Sequence, residues 1–155
     1  VGNDYSNIIT GNDHNNVLIG GRGRDVLTGA EGRDTFAYQS LSESLLWDSY
    51  SSSLAHDIIT DLEVGTDVID APQAVMPSDI LRISNNDASE ISRDFLADHL
   101  GDDIFLAGSA AIVSLSATGR DYLIINNGID GYSRLSDAVI EITGYSGNLD
   151  DLMII

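Results

Sequence analysis

Residues 2–37 read GNDYSNIIT, GNDHNNVLI, GGRGRDVLT and GAEGRDTFA, which are four consecutive copies of one nine-residue unit. Every copy has glycine at its first position, Asn or Asp at its sixth, a β-branched residue at its seventh and a large apolar residue at its eighth. Agreement at these positions through all four copies identifies an internal repeat, and a repeat of fixed period determines the architecture.

The composition of the unit predicts its local structure. Its first six positions are rich in Gly, Asn and Asp, which tolerate positive φ and hydrogen-bond to their own backbone, so they predict a turn. Its last three positions favour a short strand with one inward apolar side chain. Two units make one coil of 18 residues, in which loop one stacks over loop three and loop two over loop four. The pattern predicts a short right-handed parallel β-roll.

The stacked loops of such a roll need a cation between them. Each stacked pair brings rows of backbone carbonyls and carboxylates face to face, and these oxygens repel one another without a counter-ion. Calcium takes about six to eight oxygen ligands at about 2.3–2.6 Å and fits between such loops. The pattern therefore predicts calcium binding, and a Gly- and Asn-rich solenoid that needs no metal is the alternative.

The third copy, at residues 20–28, matches G-G-x-G-x-D-x-U-x at each defined position, so the chain resembles the hemolysin-type RTX calcium-binding repeat proteins. The resemblance implies that calcium lies between loops n and n+2. Backbone carbonyls of the Gly-rich segment and the sixth-position carboxylate hold it there. Asp25 and Asp34 are the strongest side-chain candidates. The metal-site positions that the resemblance carries over are Gly2, Asp4, Asn7, Gly11, Asp13, Asn16, Gly20, Arg22, Gly23, Asp25, Gly29, Glu31, Gly32 and Asp34.

The first two copies depart from the motif. They have Asn7 and Asn16 at the sixth position, and they have Tyr5 and His14 at the fourth position, where the motif has glycine. An amide oxygen is a weaker calcium ligand than a carboxylate, because it carries no charge. We therefore expect the loops of these two copies to bind calcium less tightly.

The charge of the chain narrows the classes of protein to which it can belong. Its 155 residues include 25 acidic and 7 basic side chains, a net charge of −18, and 20 of the acids are aspartate. Such a surface repels a phosphate backbone, which excludes nucleic-acid binding. No apolar run approaches the roughly 20 residues that span a bilayer, so membrane insertion is not expected. Without cysteine there is no disulfide framework or zinc ribbon.

The segment after the repeats is expected to continue toward a cap. A Ser-rich connection at residues 41–55 precedes HDIITDLEVGTDVIDA at residues 56–71. Together with GRDTFAYQS before it, this segment resembles the C-terminal β-roll of serralysin-type proteases and the R-modules of bacterial alginate epimerases. In those families the corresponding segment caps the roll, and its aspartates help to close the last calcium loops.

Four aspartates of this segment are therefore of interest. The resemblance implies that Asp57 and Asp61 complete a metal site against the loop of the third or the fourth copy. Asp67 and Asp70 are either part of such a site or turn residues beside a strand. A further cluster, which is either another calcium site or a solvated hairpin, comprises Asn126, Asn127, Asp130 and Asp137.

The rest of the chain is predicted to be a β cap with one helix near 88–100. From residue 104 onward it is strand-like, and its last 35 residues resemble the bluetail domain of cyanobacterial secreted and surface proteins through IINNG, DAVIEITG and GNL. The predicted domains are calcium-binding RTX repeats at 1–37 and a β-roll or sandwich cap at 38–155, bluetail-like from about residue 104. The fold class expected is all-β.

No catalytic arrangement is recognisable in the sequence. His14, His56 and His99 are scattered, there is no HExxH motif, and nothing pairs a nucleophile with a base and an orienting group. We therefore expect a module that is not an enzyme.

These observations predict a calcium-binding C-terminal module of a larger secreted exoprotein, at the cell surface or outside the cell. It would fold on binding roughly two to five calcium ions and support type I secretion, with the export machinery as a transient partner. The alternative is a calcium-dependent module that binds an anionic polysaccharide or attaches to a surface. Arg22, Arg24 and Arg33 would support that alternative if they share one face, although they can also simply offset loop charge.

Overall fold

The computed structural model describes residues 1–46, 54–134 and 136–155, and β-strands dominate this part of the chain. Its strands are β1 (Ile8–Thr10), β2 (Val17–Leu18), β3 (Val26–Thr28), β4 (Thr35–Ala37), β5 (Asp57–Ile59), β6 (Val68–Asp70), β7 (Ile80–Asn85), β8 (Ala110–Leu115), β9 (Arg120–Ile125), β10 (Ala138–Glu141) and β11 (Met153–Ile154). The described helices are α1 (Arg93–His99) and short 3-10 turns at Leu41–Glu43, Pro77–Asp79 and Leu149–Asp151. The predicted all-β class is confirmed.

The first six strands form two parallel sheets, and together they are called the roll. Strands β1, β3 and β5 belong to the larger sheet, and β2, β4 and β6 belong to the smaller one. The register aligns Ile8 with Val26 and Val17 with Thr35, 18 residues apart in both cases. This spacing is the coil length that the nine-residue period predicts, and the parallel β-roll is confirmed.

The coil continues after the sequence repeat ends. Strand β5 aligns Ile58 with Val26, and strand β6 aligns Val68 with Thr35. Both sheets thus gain a third strand from a segment that lacks the glycine-rich half of the unit. Residues 47–53 of the Ser-rich connection between β4 and β5 lie outside the described residues. The division of the chain at residue 37 stays a prediction.

The interior of the roll is built from the eighth position of each unit. Leu18, Leu27 and Phe36 are at most 2% exposed, whereas the seventh-position residues Ile8 and Val17 are 83% and 62% exposed. Successive side chains of a strand point to opposite faces, so one apolar residue per unit is enough to fill the space between the sheets. Burial of these side chains is the main favourable term for the roll.

The cap extends the larger sheet into the order β1-β3-β5-β10-β9-β8-β7. Strand β10 pairs in parallel with β5 and antiparallel with β9, so it joins the roll to the cap. Helix α1 closes a second core on the outer face of this sheet, where Leu96, Leu100 and Phe105 pack with Tyr122. The helix expected near 88–100 begins after Ser92, whose Oγ accepts a hydrogen bond from Phe95 N at 3.1 Å.

Two local assignments differ from the sequence prediction. Strand β7 was not predicted, and it pairs in parallel with β8 over its whole length. Residues 104–108 form turns instead of a strand, because Ile104 N and Phe105 N both donate to the carbonyl of Gly101. Both segments are positioned by distant partners, which local composition does not show.

The last strand, β11, is held from both sides. Ile155 N donates to Ile69 O of β6 at 3.0 Å, and Val75 N donates to Ile154 O at 3.1 Å from the other side. Leu152 and Ile154 are buried in the core between the sheets. The end of the described chain is therefore an integral part of the smaller sheet.

The inward eighth position provides a test of the roll. We expect Leu27→Ala to lower the free energy of unfolding by about 2–5 kcal/mol, because it leaves a cavity between the sheets. Val17→Ala, on the exposed seventh position, should change it by less than about 0.5 kcal/mol. Urea unfolding in millimolar calcium measures both. Equal losses in the two variants would contradict the assignment of the inward face.

Candidate metal centre

A column of hydrogen bonds links the sixth positions of every second loop. Asp25 Oδ1 accepts from Asn7 N at 2.7 Å, and Asp57 Oδ1 accepts from Asp25 N at 2.8 Å. Each carboxylate therefore binds the backbone of the coil before it. This column, Asn7–Asp25–Asp57, runs along one edge of the roll, where the chain passes from the smaller sheet to the larger one.

A second column runs along the opposite edge. Asp34 Oδ1 accepts from Asn16 N at 2.8 Å, and Asp67 Oδ1 accepts from Asp34 N at 2.8 Å. The sequence left open whether Asp67 is a metal ligand or a turn residue. In the structure, Asp67 occupies the position in the third coil that corresponds to the sixth residue of the repeat unit. The triplet Asp67-Val68-Ile69 repeats the pattern of Asp25-Val26-Leu27, which is the signal that identifies it.

The second carboxylate oxygen of three of these aspartates has no partner. Oδ2 of Asp25, Asp34 and Asp57 is buried without a hydrogen bond, and all three residues are 0% exposed. A buried carboxylate with an unsatisfied oxygen is costly unless a cation or a proton compensates for it. At these three oxygens, no hydrogen-bond donor of the protein compensates for the carboxylate.

The acidity of the aspartates reflects this burial. Burial raises the pKa of Asp57 to about 8, with the Asp25 carboxylate adding to the effect. Burial also raises the pKa of Asp25 and of Asp34, although a backbone N–H bonded to each carboxylate opposes the shift. Calcium must displace a proton from Asp57 to use it as a ligand at neutral pH.

The glycine at the first position makes room for the sixth-position side chain. A Cβ at Gly20 would lie 2.2 Å from Asp25 Oδ2, and a Cβ at Gly29 would lie 2.3 Å from Asp34 Oδ2. In the first two copies the same position faces the sixth-position amide and a backbone carbonyl as well. A Cβ at Gly2 would lie 2.2 Å from Asn7 Oδ1 and 2.1 Å from Gly20 O, and a Cβ at Gly11 would lie 2.1 Å from Asn16 Oδ1 and 2.4 Å from Gly29 O.

The glycine at the fourth position allows the loops to stack. Gly23 and Gly32 have φ of 107° and 118°, and a Cβ there would meet the backbone of Tyr5 and His14 at 2.7 and 2.9 Å. The first two copies thus pack against backbone of the third and fourth copies that carries no side chain at this position. This arrangement explains why the first two copies tolerate a large side chain at the position where the motif has glycine.

The asparagines of the first coil satisfy their own loops. Asn7 Oδ1 accepts from Asn3 N at 2.8 Å, and Asn16 Oδ1 accepts from Asn12 N at 2.6 Å. Neither amide leaves a buried oxygen without a partner. The two columns therefore end in neutral residues, and weaker calcium binding by these copies stays a prediction.

Other predicted positions play a different part in the structure. Both oxygens of Asp61 accept backbone hydrogen bonds, from Gly29 N at 2.9 Å and Ala30 N at 2.8 Å. Asp61 therefore ties the segment after β5 to the fourth loop. The third-position side chains do not converge with the columns, and all four are exposed: Asp4, Asp13, Arg22 and Glu31.

The Asn/Asp cluster in the cap closes a turn. Asp137 accepts from Asn127 N at 3.0 Å and from Ser133 N at 2.7 Å, one bond to each carboxylate oxygen. Asp130 Oδ1 accepts from Ala107 N at 2.8 Å, and Asn126 donates to backbone carbonyls. Burial raises the pKa of Asp137 to about 6. These contacts favour a hairpin over a calcium site.

The donor set of the roll fits calcium. In residues 1–46, 54–134 and 136–155, no three acidic or histidine side chains converge as a metal-binding group. A calcium ion between stacked loops would thus take one carboxylate from a column and most of its ligands from backbone carbonyls. Oxygen-only donors, a glycine-lined cradle and buried unpaired carboxylate oxygens are the chemistry that calcium prefers.

The fold and the site together place the chain in the class of parallel β-rolls in which columns of carboxylates connect stacked glycine-rich loops. Comparison with known protein families matches residues 7–153 to Peptidase M10 serralysin C terminal, and the chain belongs to this family. The family is the non-catalytic RTX module of secreted proteins, which binds calcium and is connected with secretion. No curated protein matches the chain. None of the described helices is long and apolar enough to cross a membrane.

The substitution Asp25→Asn removes the negative charge of this side chain but keeps an oxygen that can accept the hydrogen bond of the column. The amide keeps an acceptor for Asn7 N, so the roll should still fold, but the calcium concentration at the folding midpoint should rise about tenfold, which corresponds to about 1.4 kcal/mol. Circular dichroism during calcium titration measures this midpoint. Asp70→Asn, at an exposed position, is the matched control and should leave it unchanged. Equal midpoints in both variants would refute the role of Asp25.

The raised pKa of Asp57 predicts a pH dependence with opposite signs in the two metal states. Its folded pKa of about 8 lies above its ordinary value of 3.8, so stability without calcium is lost as pH rises between these values. The folded fraction in EGTA should therefore fall from about pH 5 to about pH 8. With calcium present, the midpoint concentration should instead decrease over this range, because fewer protons must be displaced. A parallel trend in both states would contradict this assignment.

Proposed function

We propose that this chain is a calcium-driven folding module of a secreted protein. The observation that carries the proposal is the set of buried, unpartnered Oδ2 atoms on Asp25, Asp34 and Asp57. The family to which the chain belongs binds calcium. Calcium in the third and fourth loops, with backbone carbonyls of residues 20–25 and 29–34, would compensate for the charge that the fold concentrates there.

The energetics of the charge support a switch between an open and a folded chain. With a net charge of −18, the chain repels itself and stays loose while free calcium is low, as it is inside a cell. Outside the cell, calcium reaches the range of about 10⁻⁴–10⁻³ M in which extracellular modules bind it. Binding to the folded state alone adds RT ln(1+[L]/Kd) for each site and drives folding.

This coupling suits export through a type I channel, which passes an unfolded chain. Strand β11 is paired on both sides in the folded state, so it would be accessible only in the unfolded chain. We further propose that the module follows a larger partner domain that holds the activity. The proposed likeness of its last 35 residues to the bluetail domain agrees with a cell-surface or extracellular location.

The arrangement of the arginines does not favour polysaccharide binding by the repeats. Arg22 and Arg24 lie in the loop between β2 and β3, whereas Arg33 lies in the loop between β3 and β4. These loops are at opposite edges of the roll, because β3 crosses the larger sheet between them. Arg33 instead donates from Nε to Thr66 O at 3.2 Å, and calcium-dependent folding remains the one function proposed.

Far-ultraviolet circular dichroism tests the proposal directly. The protein is titrated with calcium from EGTA to about 10 mM, above the affinity range of extracellular modules, and magnesium serves as the control ion. We expect a cooperative gain of β-structure with calcium and none with magnesium, because magnesium demands a rigid octahedral site and dehydrates reluctantly. A spectrum that is already β-rich in EGTA and does not change would show a static scaffold and refute the proposal.

A further inference from the structure

A group of polar side chains lies on the outer face of the larger sheet, away from the interior of the roll. Arg24 precedes β3, His56 precedes β5, Glu141 ends β10, and Arg120 and Tyr122 lie at the start of β9. These four strands are neighbours in the sheet. Alternation along each strand places the five side chains on one face, and they are called the outer cluster below.

Glu141 is the only acidic member of the outer cluster. Its carboxylate oxygens lie 3.5 Å from His56 Nε2 and 3.7 Å from Arg120 Nε, and its side chain is 6% exposed. Thr143 Oγ1 also donates a hydrogen bond to this carboxylate. The outer cluster therefore contains two guanidinium groups, those of Arg24 and Arg120, and one carboxylate, which is an excess of one positive charge in a chain whose net charge is −18.

Several nitrogens of the cluster are buried without a hydrogen-bond partner. His56 is 2% exposed, its Nδ1 has no hydrogen-bond partner, and its Nε2 has only the Glu141 carboxylate at 3.5 Å, which is too long for a well-formed hydrogen bond. Arg24 Nε is also buried and lacks one. Buried donors are almost always satisfied, because an unpaired one loses its hydrogen bonds to water without a replacement. The outer cluster thus holds an unpaired Arg24 Nε and an unpaired His56 Nδ1 beside an excess of positive charge.

We infer that the outer cluster binds a small oxyanion, such as a carboxylate or a sulfate group. Arg24, His56 and Arg120 would donate to it, and guanidinium groups bind oxyanions through pairs of charge-assisted hydrogen bonds. The Tyr122 ring stands edge-on to His56 at 5.7 Å between centroids, and apolar residues of the second core lie behind it. The low dielectric there strengthens each hydrogen bond.

The half-exposed Arg120 provides the approach for a ligand. Its side chain is 49% exposed, whereas His56 and Glu141 are buried. The ligand would contact the guanidinium group of Arg120 first and then the inner donors. This site differs from the calcium loops in its donors and in the sign of the ligand's charge, so it stands apart from the proposed function.

Isothermal titration calorimetry of the calcium-saturated protein with sodium sulfate and with sodium acetate tests the inference, and sodium chloride at equal ionic strength is the control. We expect saturable binding of at least one of the two anions at one site and none with chloride. Arg24→Gln and Arg120→Gln should each weaken binding about tenfold, the effect of losing one charged hydrogen bond. Arg82→Gln, which removes an arginine paired with Asp150 elsewhere, should leave the affinity unchanged.

Nuclear magnetic resonance locates the bound anion. We expect the Arg24 Nε–H and His56 ring resonances to shift with sulfate or acetate in the wild-type protein and in Arg82→Gln. Circular dichroism in calcium establishes that each variant is folded, and Arg120→Gln, at a half-exposed position, provides the test if Arg24→Gln does not fold. Absence of saturable binding to either anion, or wild-type affinity in the folded arginine variants, would overturn the inference.

Discussion

The bond between a sixth-position carboxylate and the backbone amide of the preceding coil is the constraint on which the roll depends. It fixes the distance between coils, and it commits one oxygen of Asp25, Asp34 or Asp57 to the backbone while the other stays unpaired. The same side chain therefore sets the geometry of the stack and creates its need for a cation. The first-position glycine follows from this, because a Cβ would occupy the space of the carboxylate.

The columns, and not the spacing along the chain, set the register of the later strands. Asp25 and Asp57 are 32 residues apart, and Asp34 and Asp67 are 33 apart, yet β5 and β6 continue the sheets in register. In both of these strands, an aspartate followed by two β-formers takes the place of the repeat unit in the column. Loop closure entropy grows slowly with length, so a long excursion between two coils costs little.

The repeat predicted the roll because every feature of it is local. Position within the unit was enough to identify the inward Leu27 and the column residues Asp25 and Asp34. Asp67 and Asp61 were harder to assign, since their roles depend on which loop stacks against them. Strand β7 and the outer cluster could not be predicted at all. Both are assembled by pairings between distant segments, and a single histidine such as His56 carries no signal in the sequence.

The columns and the outer cluster are built from alternate residues of the same strands. Arg24 and His56 point to the outer face, while their neighbours Asp25 and Asp57 point into a column, because successive side chains of an extended chain face opposite ways. Ordering of the column by calcium therefore also fixes the donors of the outer cluster. An oxyanion bound there and calcium between the loops would stabilise the same folded state. By thermodynamic linkage, each ligand would then strengthen the binding of the other.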